Sequence, residues 1–240
     1  EEGPEAETGV GPIGGGGLIS GISTAGKGTL DDVRVIGVQA EGASSVAESL
    51  KKGTLQELES VDTIADGIAT RTVGRKPWEI IQERVDEVVT VSDNEIALAL
   101  TYLLERSKTM VEGAGAVALA AVLAERFDYE EDEVIVPALC GGNIDLNDLT
   151  TVVMRGLVQM GRYIKIRTEL KDRPGALEHL VEVISDHQAN IYGVQHDRTS
   201  RDIAMNAAEV VLDIETHGQA HIDALLGDLE ANGYEVEVLV

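Results

Sequence analysis

Short apolar runs alternate with helix-forming segments over the first 150 residues, and this alternation restricts the possible fold more than any other feature. Three runs rich in β-branched residues occur at 33–40, 88–91 and 134–139. Runs of this length and composition are typical of strands that are buried on both faces of a parallel sheet. Because such strands alternate with helical segments, the sequence predicts an α/β domain with a mostly parallel sheet.

Two of the intervening helices have clear sequence signals. Residues 92–95, Ser-Asp-Asn-Glu, match a capping box and open an apolar-periodic segment that we expect to end near Arg106. Residues 115–126 are rich in Ala and Leu, which indicates a well-buried helix. The acidic residues 1–9 contain Gly and Pro and are expected to form no regular element.

The pattern changes near residue 162. Apolar and polar residues alternate over 163–170, Pro174 is placed to begin a helix that runs to about residue 187, and Gly233 follows a helix predicted at 220–232. Further strands are predicted at 190–198, 207–216 and 234–240, with a polar loop at 197–202. This βαββαβ order is the ferredoxin-like α+β plan. We therefore predict a first domain at 1–150, a connecting helix at 151–162 and a second domain at 163–240.

The charge balance excludes some partners. The chain has 43 acidic and 19 basic residues, a formal net charge of −24. Such a surface repels nucleic acid and anionic lipid, so we expect neither as a partner. The acidic residues are spread over many segments, which favours adaptation to high salt over a merely acidic enzyme. No apolar run of about 18 residues and no secretion leader is evident, and the single Cys140 suits the cytoplasm.

Four consecutive glycines at 14–17 lie between a short predicted strand and an apolar helix start. Glycines let the backbone turn tightly and point its N–H groups inward, and the helix amino end adds partial positive charge. A flexible linker is the alternative, but the strand and helix on either side favour a phosphate-binding loop. At 139–143, Cys140 and two glycines end the last predicted strand, where ligands of α/β sheets gather. A lone cysteine is also often a small buried apolar residue.

Five motifs, in this order and spacing, resemble threonine ammonia-lyases, which are pyridoxal-phosphate enzymes of fold type II. They are PIGGGGLIS at 12–20, QAEGAS at 39–44, TIADGI at 63–68, VEGAGA at 111–116 and LCGGNID at 139–145. The chain from residue 163 is similar to an ACT domain, with its Asp-x-Pro-Gly turn at 172–175. Serine racemase and serine dehydratase share the catalytic fold.

The resemblance implies roles for individual residues. The cofactor pyridoxal 5′-phosphate would be held by residues along the first domain: Gly14, Gly15, Gly16, Gly17, Leu18, Gly67, Glu112 and Cys140. Cys140 would stand beside the pyridine nitrogen as a neutral partner, which suits β-elimination over transamination. Glu112 is either at the polar edge of the cofactor or simply a carboxylate at a helix amino end. Asp66 is interpreted as a turn residue.

The resemblance also implies an amino-acid effector site in the second domain. Its candidate residues are Asp172, Gly175 and Asn190, and the expected effector is isoleucine or valine. The carboxylate of the effector would meet the helix that follows Gly175, and Ile191 and Val194 would offer apolar surface. Asn190, supplied by a neighbouring copy, is alternatively a turn residue. ACT domains pair, so a homo-oligomer, dimer or tetramer, is expected.

The chain departs from the family in three places. Metal-binding relatives have a carboxylate at the position of Glu41 and a second one six positions on, where this chain has Ala47, so no metal is expected. The strand before the glycines contains Gly9 and Gly11, which weaken a central strand. The lysine that forms the Schiff base lies upstream of the glycines in the family, and none of the seven lysines here matches it.

These departures lead to competing expectations. The leading one is deamination of L-threonine to 2-oxobutanoate and ammonia by a longer enzyme, of which these 240 residues are a fragment that has no catalytic residue and is inactive alone. The first alternative is a catalytically dead remnant that serves only as an amino-acid-binding regulatory module. The second is activity on L-serine, by dehydration or racemisation.

Overall fold

The computed structural model describes residues 5–30, 32–199 and 204–240, and it divides the chain into two compact units, 1–156 and 157–240. Residues 1–4, part of the predicted irregular start, and residues 200–203, in and just after the predicted polar loop, lie outside the described ranges. Each unit has its own four-stranded sheet and its own apolar core.

The sheet of the first unit is parallel, as the sequence predicts. Its strands are β1 (Thr8–Pro12), β2 (Arg34–Ala40), β3 (Glu87–Val91) and β4 (Ile135–Pro137), in the order β3-β2-β1-β4. The strand predicted at 134–139 is therefore confirmed, but it is shorter. It lies at an edge of this sheet, the position that tolerates Pro137, which has no N–H to donate.

Helices cover both faces of this sheet. In chain order, the helices between residues 17 and 159 are α1 (Gly17–Thr29), α2 (Ser45–Lys52), α3 (Arg75–Arg84), α4 (Asp93–Tyr102), α5 (Gly113–Leu123) and α6 (Leu146–Gln159). Eight of the eleven residues of α5 are buried, and their neighbours in the core come from β1, β2, β3 and α4. On the other face, Ile19 of α1 and Ile81 of α3 pack with Val35 in a second apolar cluster.

The helix ends follow local sequence signals. The capping box of α4 is confirmed: the Ser92 hydroxyl accepts from the Glu95 N–H, and the Glu95 carboxylate accepts from the Ser92 N–H at 2.7 Å. The helix continues as one π-helical turn, Leu103–Ser107, so the predicted end near Arg106 is close. The connecting helix is α6, which begins five residues and ends three residues earlier than predicted, and the boundary between the units falls within it.

The glycines that are expected to weaken the first strand do not prevent it from forming. The strand β1 begins at Thr8, within the segment expected to be irregular, and it pairs with both β2 and β4. The reason lies in packing against α1: a Cβ added at Gly11 would lie 2.9 Å from Ile19 Cδ1 and 3.2 Å from Ile22 Cδ1. Glycine at position 11 lets α1 approach the sheet closely, and this packing outweighs low strand propensity.

The second unit has the predicted βαββαβ order. Its elements are β5 (Tyr163–Lys171), α7 (Ala176–Asp186), β6 (Asn190–Asp197), β7 (Ala207–Glu215), α8 (Gln219–Ala231) and β8 (Val236–Val238). The sheet is antiparallel, in the order β6-β7-β5-β8. Alternate residues of β5 and β7, such as Ile166 and Leu212, form the core with Leu180 of α7 and Leu225 of α8.

None of the helices within the described ranges is long and apolar enough to cross a membrane.

Candidate functional site

The glycine loop joins β1 to α1 at the carboxyl end of the parallel sheet. Gly16 has a left-handed backbone, with φ 85°, and it caps α1, whose first residue is Gly17. No side chain caps this helix end. The first N–H groups of a helix have no intrahelical acceptor, so the amides at the start of α1 are available to an anion, and the helix dipole favours one.

The four glycines have different surroundings. A Cβ at Gly14 would lie 3.0 Å from the Ile68 Cα and 3.3 Å from the Gly67 oxygen, and a Cβ at Gly16 would overlap Val73 and lie 2.7 Å from Pro77 Cβ. These two positions form the wall of the loop. At Gly15 and Gly17, an added Cβ would meet no described atom within 4 Å. The loop therefore offers an open surface of exposed backbone at Gly15 and Gly17, which leaves room for a phosphate group. Leu18, in the first helical turn, is 49 % exposed.

Three further elements meet beside this loop around the side chain of Glu112. The carboxylate lies between two glycines: a Cβ at Gly67 would be 2.9 Å from its Oε1, and a Cβ at Gly141 would overlap that oxygen. The backbone N–H of Glu112 donates to the Gly141 oxygen at 3.4 Å. Gly67 also faces Gly14 through the turn Asp66–Ile68. The predicted site residues 14, 67, 112 and 140 are thus brought together at the carboxyl end of the parallel sheet.

The surroundings of Cys140 favour its neutral thiol form. Burial raises the pKa of its thiol, and the nearby Glu112 carboxylate raises it further. A thiol in this state is a neutral group with a weak S–H donor and a weak sulfur acceptor. Its backbone oxygen abuts Gly115, where any Cβ would collide with it, so glycine at position 115 lets α5 pack closely against Cys140.

A cavity of about 230 Å³ opens next to Glu112. The residues that line it include carboxylates from three segments, namely Asp66, Glu112, Asp145 and Asp148, together with Asn143. Asp66, interpreted from sequence as a turn residue, begins a one-turn 3-10 helix and also faces this cavity. Asn143 and Asp145 belong to the motif that follows Cys140.

Sequence reasoning quoted Gln39 only as part of a motif and missed its role. Its side chain is fully buried. The side-chain oxygen accepts from the N–H groups of Val46 and Ala47 at 2.9 and 3.1 Å, and the side-chain nitrogen donates to the Ala43 oxygen at 3.0 Å and to the Ile13 oxygen at 3.5 Å. Gln39 therefore joins the end of β2, the start of α2 and the residue before the glycine loop. The available sequence signal was a glutamine near the end of the apolar run 33–40, which is predicted to be a buried strand.

A second positioning group is Asp93. Its carboxylate accepts from the Thr63 hydroxyl at 2.6 Å and from the Ile64 N–H at 3.2 Å, and the Thr63 oxygen accepts from the Ala65 N–H. These bonds attach the segment that leads to Asp66 and Gly67 to the start of α4. Glu41 lies away from the site as an exposed carboxylate, 3.7 Å from the Arg126 guanidinium.

In the second unit, the three candidate effector residues are not brought together within one chain. Gly175 has a left-handed backbone, φ 85°, and caps α7, so the helix begins two residues after Pro174. Asp172 pairs with Arg198 at 2.5 Å. Asn190 donates to Glu215 at 3.0 Å, on β6 at one edge of the sheet. Ile191, expected to offer apolar surface, instead packs against the core.

The chain was compared with protein families, curated proteins and solved structures. Residues 1–141 match the family described as pyridoxal-phosphate dependent enzyme, and residues 162–233 match the ACT domain. The chain is 48 % identical to an L-threonine ammonia-lyase of Geobacter sulfurreducens over 95 % of this chain and 56 % of the relative. It is 41 % identical to an L-threonine ammonia-lyase of Thermotoga maritima over 100 % of this chain and 59 % of the relative.

Among solved structures, the processed threonine deaminase isoform 2 of Solanum lycopersicum superposes with a TM-score of 0.58 at 33 % identity, covering 63 % of this chain and 44 % of that one. The chain spans 56 % and 59 % of the lengths of the Geobacter sulfurreducens and Thermotoga maritima relatives.

Proposed function

Because the chain belongs to the pyridoxal-phosphate dependent enzymes and carries an ACT domain after the catalytic fold, we propose that it serves the deamination of L-threonine to 2-oxobutanoate and ammonia. Two relatives that bear the name L-threonine ammonia-lyase match almost all of this chain, which supports threonine as the substrate.

The geometry that supports the proposal best is the meeting of the glycine loop, Gly67, Glu112 and Cys140 at one edge of the sheet. The amides at Gly14 to Gly17, with the amino end of α1, would hold the phosphate of the cofactor. When bound, pyridoxal 5′-phosphate supplies the electron sink that labilises the bonds at the α-carbon of an amino acid.

Cys140 would face the cofactor as a neutral thiol, because burial and Glu112 both oppose its ionisation. A neutral neighbour does not force protonation of a pyridine nitrogen, and a weaker electron sink suits elimination over transamination. Glu112 would keep its carboxylate at the inner side of the site, where Gly67 and Gly141 leave room for it.

None of the seven lysines lines the cavity beside Glu112. Lys27, for example, pairs with Asp86 at 2.7 Å. Lys52, at the end of α2, lies 3.7 Å from Glu48. Since an amine nucleophile is required to hold the cofactor covalently, a polypeptide of these 240 residues is proposed to be inactive by itself.

The second unit would regulate the enzyme by binding an amino acid, with isoleucine or valine as the proposed effector and a homo-oligomer as the assembly. The competing hypothesis is a regulatory module with a catalytically dead remnant. It differs in one testable respect, because such a remnant is not expected to bind the phosphate of the cofactor.

The cofactor site is tested with pyridoxine 5′-phosphate, which lacks the aldehyde and so does not react with surface lysines. Calorimetry on the 240-residue chain should show binding that Gly17→Asp weakens at least about tenfold, since a carboxylate would stand beside the phosphate. Gly17 is open to an added side chain, and an acid in the first turn stabilises a helix, so the fold should be kept. The matched control is Gly21→Asp, within α1 and equally open. Equal affinities of the two variants, or no binding by the unaltered chain, would contradict the proposed site.

The activity is tested with a chimera in which these residues replace the matching part of the Geobacter sulfurreducens relative. The chimera should form 2-oxobutanoate from L-threonine faster than pyruvate from L-serine. A preference for L-serine would replace threonine by serine as the proposed substrate.

A further inference from the structure

The side chain of Arg126 contacts two carboxylates from different segments of the first unit. Its Nη2 atom lies 2.6 Å from Glu95 Oε1, in the first turn of α4, and 3.7 Å from Glu41 Oε1, directly after β2. Burial opposes the ionisation of Glu95, but hydrogen bonds from Arg126 and Ser92 lower the pKa of its carboxyl group. Within the described part of the chain, neither carboxylate pairs with any other lysine or arginine.

Arg126 has a fixed backbone position just beyond α5. Its N–H donates to the Ala121 oxygen at 3.0 Å, after the left-handed residue Glu125, φ 50°. The next residue, Phe127, is buried in the apolar core of the first unit. The guanidinium is therefore presented to both carboxylates from a backbone that is held on either side.

The segment 62–65 lies between the two places that Arg126 contacts. On one side is the one-turn 3-10 helix Glu41–Ala43: the Asp62 N–H donates to the Gly42 oxygen at 3.1 Å, and a Cβ at Gly42 would overlap the Asp62 oxygen. On the other side is the first residue of α4, Asp93, which accepts from the next two residues of the segment at 2.6 and 3.2 Å. Fixing this short helix and the start of α4 therefore fixes the segment between them.

This segment leads directly to Gly67, which borders the candidate cofactor site on two sides. A Cβ at Gly67 would be 2.9 Å from Glu112 Oε1, and the Gly67 oxygen would be 3.3 Å from a Cβ at Gly14. Arg126 itself does not line the cavity beside Glu112. Its effect on the site must therefore pass through its two carboxylate partners.

We propose that Arg126 is a positioning residue for the cofactor site: its guanidinium holds the turn 41–43 and the start of α4 together, and thereby holds Gly67 against the glycine loop and Glu112. This inference rests on the proposed cofactor site. Both carboxylates approach the same nitrogen atom, so without this cation they would repel each other in a chain of net charge −24. The segment 62–65 would then lose its fixed position.

The first test is amide hydrogen exchange of the 240-residue chain without cofactor. Arg126→Gln should raise the exchange rates of Ile64 and Ala65, whose N–H groups are hydrogen-bonded, at least about threefold. The amides of α3, on the other face of the sheet, should keep their rates, whereas a rise of equal size there would indicate general destabilisation and contradict a local role.

The matched control is Arg34→Gln. Arg34 pairs with Glu87 at the same distance of 2.6 Å and is similarly exposed, but it lies at the opposite end of β2. Its replacement should change the exchange of Ile64 and Ala65 less than about twofold. An equal effect of Arg34→Gln and Arg126→Gln would overturn the proposal.

Two further variants test whether the charge pair carries the effect. Glu95→Gln removes the charge but keeps the capping box, because glutamine also accepts from the N–H of Ser92. Combining it with Arg126→Gln should raise exchange by less than the product of the two separate effects, since both remove the same interaction. Arg126→Lys keeps the charge and should give rates between those of the unaltered chain and Arg126→Gln. Independent effects of the two glutamine substitutions, or equal rates for lysine and glutamine at position 126, would overturn the role of the pair.

Calorimetry with pyridoxine 5′-phosphate connects this role to the site. Arg126→Gln should weaken binding to the 240-residue chain at least about threefold, and Arg34→Gln less than about twofold. If Arg126→Gln binds as tightly as the unaltered chain, the role of Arg126 is overturned and the cofactor site stands. If the unaltered chain does not bind, the cofactor site itself is overturned.

Discussion

Replacing Gly16 by alanine should destabilise the first unit more than an alanine at a comparable glycine. The left-handed backbone at Gly16, φ 85°, costs a residue with a Cβ about 1–2 kcal/mol. The added methyl would also overlap Val73 Cγ2 and lie 2.7 Å from Pro77 Cβ, an overpacking that costs about 1–3 kcal/mol. Together these terms predict a loss of about 2–5 kcal/mol in the free energy of unfolding.

The matched control is Gly53→Ala at the end of α2. Gly53 is also left-handed, φ 69°, but no described atom lies within 4 Å of an added Cβ. Its cost should be the backbone term alone, about 1–2 kcal/mol, so the two variants should differ by about 1–3 kcal/mol.

Urea unfolding followed by tryptophan fluorescence measures this difference. The single tryptophan, Trp78, is 8 % exposed and packs in the same apolar cluster as Val73, so it reports on the first unit. Combining Gly16→Ala with Val73→Ala should recover part of the loss, because the overlapping methyl is gone. Equal destabilisation by Gly16→Ala and Gly53→Ala would refute the idea that Val73 and Pro77 wall the loop.

Three further predictions concern chemistry and solution conditions. Alkylation of Cys140 should show its half-maximal rate at a lower pH in Glu112→Gln than in the unaltered chain, because removing the negative charge lowers the raised pKa of the thiol; an unchanged pH–rate profile would exclude this electrostatic contact. A purified polypeptide of these 240 residues should form no 2-oxobutanoate from L-threonine. Measurable product would show that one of its seven lysines takes the place of the Schiff-base lysine. The midpoint of thermal unfolding should rise from dilute buffer to molar KCl, because salt screens the self-repulsion of a net charge of −24; equal midpoints would remove the interpretation of adaptation to high salt.

Periodicity and capping predict most of the elements of this chain, because the signals are local. The β-branched run that becomes β2 and the Ser92–Glu95 capping box depend on neighbours a few residues away. The start of β1 was not predictable in this way. Its glycines are unfavourable in a strand, and only the close approach of α1 to Gly11 explains why they are there.

In the candidate site, too, the parts that depend on local sequence could be predicted and the parts that depend on distant segments could not. The glycine loop is predictable since strand, glycines and helix follow one another directly in the sequence. The position of the Glu112 carboxylate between Gly67 and Gly141 depends on three segments far apart in the chain, so sequence left its role open between a helix-end carboxylate and a cofactor neighbour. The pairing of Asn190 with Glu215 likewise required the register of β6 on β7.

The buried side chain of Gln39 couples local unfolding of the glycine loop to local unfolding of α2. Its side-chain amide forms hydrogen bonds with backbone groups at Ile13, Ala43, Val46 and Ala47. Opening the loop or unwinding the first turn of α2 would therefore leave buried polar groups without hydrogen-bond partners. Local openings in proteins occur in cooperative units whose size is set by such shared bonds. The loop and α2 should therefore exchange their amide hydrogens with solvent as one unit.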